Sequence, residues 1–448
     1  MTMQTSETQT GLTAAERREA YLKSLLATVQ ASVPDSPALP ALRSTAEALV
    51  KERTFPSSRD EEWRFTDLSA ILAVPFKASR QAVAVNSESL ASVSLPESQQ
   101  ARLVFVNGQY SADLSDTTGL PEGVIAGNLA ALYAQADLQQ AIDLRLGQQS
   151  GGHEIFTALN TTGFQDAAVV WVPRNQVVET PIQIVFVSVP QPEPVIAQPR
   201  CLVIAESGSA LTVVEDFWGT ANGNHLTNTV SEFWVDDNAQ VSHIRVQREG
   251  AETFHIGKTA ITQGRDSRYA GTAISLGAHL SRHHWEMYQV GEQTDTKLYG
   301  LNAIANTQTA DTHSLIALSQ PHGTVDQLHK SIVDEQAHSI FSGMIAVPKA
   351  AQMTNAAQLN RNLLLSDKGR VDTKPQLDIV ADNVKCSHGA TISQLEADEV
   401  FYLQSRGIDA AQAQRLLLYA FAMEVIDALP VESLKAALTR QVAERTPV

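Results

Sequence analysis

The chain is 448 residues long, 43% hydrophobic and 6% aromatic, with a formal charge of −16 and two cysteines. That length exceeds one ordinary core, and the acidity excludes nucleic acid and anionic membrane as partners, both of which require a positive footprint. Two cysteines, Cys201 and Cys386, cannot build a disulfide framework and fit a reducing compartment. Residues 1–12 are polar and lack the apolar stretch of a signal peptide, and no window approaches the length of a membrane span, so a cytoplasmic location is expected.

Residues 13 to 90 read as helical. Thr13 with Glu16 forms a capping box, followed by Tyr21, Leu22, Leu25, Leu26 and Val29 at helical spacing. Pro37 and Pro40 punctuate before a second helix running to about Val50. The run Asp60-Glu61-Glu62-Trp63-Arg64-Phe65-Thr66 reads as a turn or helix docking over a core. From Ala101 the period changes: Leu103 to Val106 is a strand ending in an Asn107-Gly108 turn, and a helix is expected over Leu129 to Leu146.

From Ala167 to Ile392 short strands alternate with small turns, among them Ile182–Val189, Val241–Val246, Trp285–Val290 and Ile340–Ile345. A loose repeat joins Gly208-Ser209-Ala210-Leu211 to Asp237-Asn238-Ala239-Gln240, with an echo at Glu335-Gln336-Ala337-His338. Such self-similarity suits a β-helix, and equally leaves a sandwich or barrel open. After Ile392 the helical period returns: Ser393 with Glu396 reads as a capping box, Gly407 as a stop and Asp409 as the next cap, with a last helix after Pro430. The expected organisation is an N-terminal helical region (1–100), a mixed connecting region (101–166), a strand-rich core (167–392) and a C-terminal helical region (393–448).

Chemistry-bearing patterns are few. Gly257-Lys258-Thr259 resembles the tail of a phosphate loop, but Glu252 occupies the required earlier glycine position, so ATP is not handled by this chain. His283 and His284 point to opposite faces of a strand and cannot share a metal, while His313, His322, His329 and His338 read as spread through polar turns. One stretch stands apart, Asp382-Asn383-Val384-Lys385-Cys386-Ser387-His388-Gly389-Ala390-Thr391. Strand alternation puts Cys386 and His388 on one face, roughly 7 Å apart, and Lys385 on the other. The pair is either a buried thiol beside a satisfied core histidine or a two-ligand site for a soft metal or a sulfur species. A protonated His388 would depress the thiol pKa.

The run Asn362-Leu363-Leu364-Leu365-Ser366-Asp367-Lys368-Gly369-Arg370-Val371-Asp372-Thr373-Lys374-Pro375-Gln376-Leu377, with Val384 to Thr391 and Phe401-Tyr402-Leu403-Gln404-Ser405-Arg406-Gly407-Ile408, resembles the C-terminal signature of the SufB/SufD family. Glu61-Glu62-Trp63-Arg64-Phe65-Thr66 and the strand-rich middle fit it too. His388-Gly389 has glycine where the SufB branch typically has glutamate, and no cysteine stands in Asn360-Arg361-Asn362-Leu363-Leu364, where that branch offers one; both place the resemblance on the SufD side. The resemblance implies a mainly β fold, a right-handed parallel β-helix flanked by N- and C-terminal helical regions. It implies a non-enzymatic scaffold that pairs with a SufB-like sister subunit and a SufC-like ATPase, the latter docked on the C-terminal helices. No cofactor is permanently bound, and a nascent iron–sulfur cluster forms at the shared interface, with His388 and Cys386 as its metal- and cluster-binding residues on this chain. Two other readings remain open: a β-helix carbohydrate-active enzyme, for which Asp295, Asp311, Asp326 and Asp334 show no common register, and a homodimeric structural solenoid.

Overall fold

The computed structural model describes residues 13–33, 39–79, 84–152, 154–221 and 223–445. The polar segment 1–12 and Pro37 therefore lie outside the described residues. The strands of the middle region alternate between two sheets of eleven and ten strands, and each long strand pairs in parallel with the one a full coil later. This is a parallel β-helix of about eight turns, flanked by helices at both ends of the chain. The mainly β fold class expected from the sequence is the fold found.

Register explains why the repeat is faint to the eye. Gln240 lies opposite Arg268, Arg268 opposite Asp295, Asp295 opposite Thr324, and Thr324 opposite Asn355. The step from Arg268 to Asp295 is shorter than that from Thr324 to Asn355, so no single period survives. Ala210 pairs with Gln240 rather than with Ala239, its match in the sequence repeat. The turns absorb the drift, with Asn238, Asp266, Asn306 and Glu335 each at positive φ.

Apolar clusters inside and outside the coil hold the layers. Inside the coil, Val213, Phe217, Phe233, Val241, Trp285, Ile316 and Ile345 pack across the lumen. Outside one sheet, Leu22, Leu26, Trp63 and Phe156 cover Leu226, Phe254 and Leu280. Outside the other, Leu418, Val425, Leu434 and Leu438 of the C-terminal helices cover Ile244, Leu301, Leu328 and Leu363. The strands of the central coils thus bury both faces, which is why they read as near-continuous apolar runs rather than clean alternation.

Local signals were obeyed where backbone chemistry is decisive. Thr13 and Glu16 cap the helix Ala14–Gln30 reciprocally, and Asp409 accepts from Gln412 N at the start of Ala410–Ile426. Asn107 and Gly108 both take positive φ in an antiparallel hairpin turn. Three expectations fail. Past Glu52 the described residues of the N-terminal region form short helices of three or four residues and a brief strand rather than further long helices. The helix expected over Leu129 to Leu146 is two, Leu129–Tyr133 and Ala136–Asp143. Ser393 is still in the strand Lys385–Gln394, so helix Ala397–Ser405 starts after Glu396 with no side-chain cap.

The lumen also shows a tight fit that glycine makes necessary. A Cβ on Gly300 would lie 2.2 Å from Cδ2 of His329, a ring stacked on Phe341. Gly300→Val is therefore expected to destabilise the chain by about 1–3 kcal/mol, read as a lower urea midpoint.

Candidate functional site at the open end of the coil

The strands Arg370–Ile379 and Lys385–Gln394 are the terminal members of the two sheet orders. Each offers one unpaired edge about ten residues long, the kind of edge that soluble proteins cover, blunt or use for pairing. Large apolar side chains stand exposed around it: Val380 is 60% exposed, Met353 55% and Ile392 49%.

Cys386 and His388 sit on this last coil. Cys386 lies opposite Ala356 and His388 opposite Gln358, and both partners are buried inward-facing residues. In-register parallel neighbours point the same way. Thiol and imidazole therefore share the lumen face at the mouth of the coil, while Lys385 projects outward, as alternation predicts. Cys386 is half-buried against the lumen cluster, whereas His388 is exposed.

The electrostatics differ from expectation on one point. Burial pushes the Cys386 thiol above its usual range, opposed only by a backbone hydrogen bond from Ala356, and no effect of His388 offsets it. The resting group is a thiol, which must lose its proton to a metal or acceptor brought alongside. Among the described residues no group of three or more His, Cys, Asp or Glu is placed to hold a metal ion. A two-ligand site is incomplete by itself. Around it the last coils carry further unsatisfied polar atoms: Gln358 Oε1, Asn362 Oδ1 and Thr373 Oγ1 are buried without partners.

The other sequence candidates are structural. His283 faces the lumen and meets Thr259 Oγ1 at 2.9 Å, while His284 faces outward beside Glu286, so the two diverge as expected. His313, His329 and His338 lie in strands rather than in polar turns. The turn reading failed because short polar stretches of a strand that buries both faces look like loops. Lys258 of the phosphate-loop look-alike donates to Glu286 and to the Gly151 carbonyl, fixed inside an ion pair. Asp311 is sealed with Arg282, whereas Asp326 accepts from Tyr299 on the other sheet, so these carboxylates do not converge.

Sequence reasoning missed the charged lumen. Glu215 accepts from Ser231 and meets His243 at 2.8 Å; Glu249 accepts from Thr227 and meets His255 at 2.5 Å; Arg245 bonds His255. Cys201 is sealed near Glu215, and burial raises its thiol well above the ordinary range. It is no counterpart of Cys386. Coil register would have exposed the pattern, because these residues recur at inward positions of successive coils.

The C-terminal helices carry a second exposed surface. Helix Ala410–Ile426 buries Leu418, Ala422 and Val425 but leaves Leu416 42% and Tyr419 43% exposed. On Ala397–Ser405, Phe401 and Tyr402 are 69% and 58% exposed. Patches of this kind mark interaction surfaces more often than chance.

Residues 187–421 match the family described as SUF system FeS cluster assembly, SufBD core domain, and residues 18–184 match the SufBD protein N-terminal region. The chain is 47% identical over 413 residues to an iron-sulfur cluster assembly SufBD family protein of Synechocystis, covering 90% of both chains. It is similar to the iron-sulfur cluster assembly protein SufD of Escherichia coli, at 29% over 88% of this chain and 89% of the relative. The SufD of Bacillus subtilis is 30% identical, over 76% and 78%. A parallel β-helix whose last coil is left open, matched along both its N-terminal region and its core, belongs to the SufBD family of the SUF system for iron–sulfur cluster assembly.

Proposed function

We propose that this chain is a non-enzymatic scaffold subunit that completes its site by pairing its open coil end with a SufB-type sister subunit. A nascent iron–sulfur cluster is the cargo of that shared boundary, and no cofactor resides permanently on this chain. The observation that carries the reading is the placement of Cys386 and His388 on one lumen face at the mouth of a coil whose two last strands each leave one edge free. Thiolate is the usual cluster ligand and histidine a documented alternative, so a Cys/His pair supplies part of a ligand set and the partner supplies the rest. The exposed Phe401, Tyr402, Leu416 and Tyr419 favour docking of a SufC-type ATPase on the C-terminal helices, which accords with the lack of a phosphate loop in the sequence. Two cysteines kept as free thiols suit a reducing, cytoplasmic setting.

The test is anaerobic reconstitution of the co-expressed three-subunit complex with iron and sulfide, followed by visible absorption. His388→Ala is expected to leave folding and subunit stoichiometry intact and to lower cluster loading several-fold. Unchanged loading would remove His388 from the mechanism. The same free edges also fit a second copy of this chain, so without its sister subunit the protein is expected to self-associate through them.

A further inference from the structure

Inside the lumen a ladder of side-chain hydrogen bonds climbs toward the open end. Gln327 Nε2 donates to Ser314 Oγ at 2.8 Å, and one coil on, Gln358 Nε2 donates to Gln327 Oε1, also at 2.8 Å. The next inward position in the same file is His388. The ladder uses only one arm of the Gln358 amide. The other arm, Oε1, is sealed from water and has no partner, on a residue 2% exposed. A buried carbonyl left unpaired is costly, and native structures rarely keep one without a use. The seat of this amide is also specific: a Cβ on Gly343 would lie 2.4 Å from Gln358 Nε2. Among the described residues the His388 ring has no hydrogen-bond partner of its own, although strand neighbours in register lie about 4.8 Å apart, within side-chain reach.

We propose that Gln358 is the positioning residue for His388, its Oε1 accepting one ring N–H of the imidazole. The bond fixes the tautomer and turns the other nitrogen, with its lone pair, out of the mouth toward the partner. Outer hydrogen bonds of this kind set ring orientation and basicity at histidine metal sites. The ladder through Gln327 and Ser314 holds the amide in turn, and Gly343 leaves it room. This inference rests on the role assigned to His388 above.

The contact is testable on the full-length chain alone, by 15N spectroscopy of labelled histidine, with His388 assigned by the signal lost in His388→Ala. In the unsubstituted protein one ring nitrogen of His388 should be predominantly protonated. Gln358→Met keeps the shape, removes the acceptor and should abolish the tautomer bias, and Gly343→Ala should weaken it with Gln358 in place. Unchanged ring shifts in Gln358→Met overturn the proposal, and if that variant does not fold, unchanged ring shifts in Gly343→Ala overturn it instead. Neither readout involves a cluster or a partner. A failure of cluster loading to respond to His388→Ala would therefore sink the assembly role while leaving the Gln358 contact standing, and the converse result would do the opposite.

Discussion

Asp311→Ala should destabilise the protein by about 3–5 kcal/mol and loosen the Glu61–Thr66 segment from the coil. The carboxylate is 1% exposed and bonds the Arg282 guanidinium, accepts from Thr66 Oγ1 at 2.5 Å, and has His313 Nε2 at 3.0 Å. Arg282 in turn stacks on the Trp63 ring, its Cζ 4.0 Å from the centroid, and Glu62 reaches His313 at 3.2 Å. Removing Asp311 strands a buried guanidinium with no counter-charge, which is the expensive way to break a buried pair. The tryptophan it stacks on belongs to the cover of one sheet, so the damage spreads from a charge defect to an uncovered apolar face. Urea unfolding followed by Trp emission should give a lower midpoint and, before the main transition, a red shift from solvent reaching Trp63. Asp311→Asn keeps an acceptor for Thr66 and should cost less. Lys374→Ala, which deletes only the exposed pair with Glu61 at 2.6 Å, should change stability by under about 1 kcal/mol. A loss in Asp311→Ala no larger than in Lys374→Ala would show that the segment is held by packing alone.

The same residues show what a single sequence can and cannot display. Strand alternation was enough to put Cys386 and His388 together and Lys385 away, because a period of two is strict once one face is a lumen. The acidic-aromatic motif around Trp63 was legible as a docking element, and it docks. What it docks against was not legible, since Arg282 and Asp311 stand in different coils and become neighbours only through the Arg282–Asp311 register pairing. The C-terminal entry was misread at Ser393 for a related reason. Ser and Glu at capping spacing are an N-terminal signal only if the chain has left the sheet, and the pairing of Ser393 with Leu363 keeps it there. Gln358 escaped notice because a glutamine in a polar-looking strand has no local signature; its meaning comes from His388 lying one coil above it. Among the described residues the imidazoles of His225, His243, His255, His283 and His329 are sealed, and their burial was not legible for the same reason.

Those sealed imidazoles lead to the second large effect: the chain should lose stability steeply as pH falls from about 6.5, above the range in which Glu249 titrates. Burial lowers His225 from 6.5 to about 4 and His329 from 6.5 to about 3. Around His225, Glu249 opposes the shift and His255 adds to it, and both nitrogens of its ring lack a partner. A histidine with a depressed folded pKa is neutral in the native state while the unfolded chain takes up a proton near 6.5. Stability is therefore whole above that value and drains as pH falls toward the folded pKa, on the order of 3 kcal/mol for each ring at the acid limit. Glu249 acts in the same direction but lower down. For Glu249, burial alone would raise the pKa, yet His255 and Thr227 outweigh it and hold the group at about 2 against 4.5 unfolded, so its contribution is lost only below about 4.5. Urea midpoints measured between pH 7.5 and 5 should fall monotonically, and His225→Leu should flatten part of that slope. A flat profile between 7.5 and 5 would mean that water reaches these rings in solution. The coil lumen would then be wet, which its apolar lining of Phe217, Phe233 and Trp285 argues against.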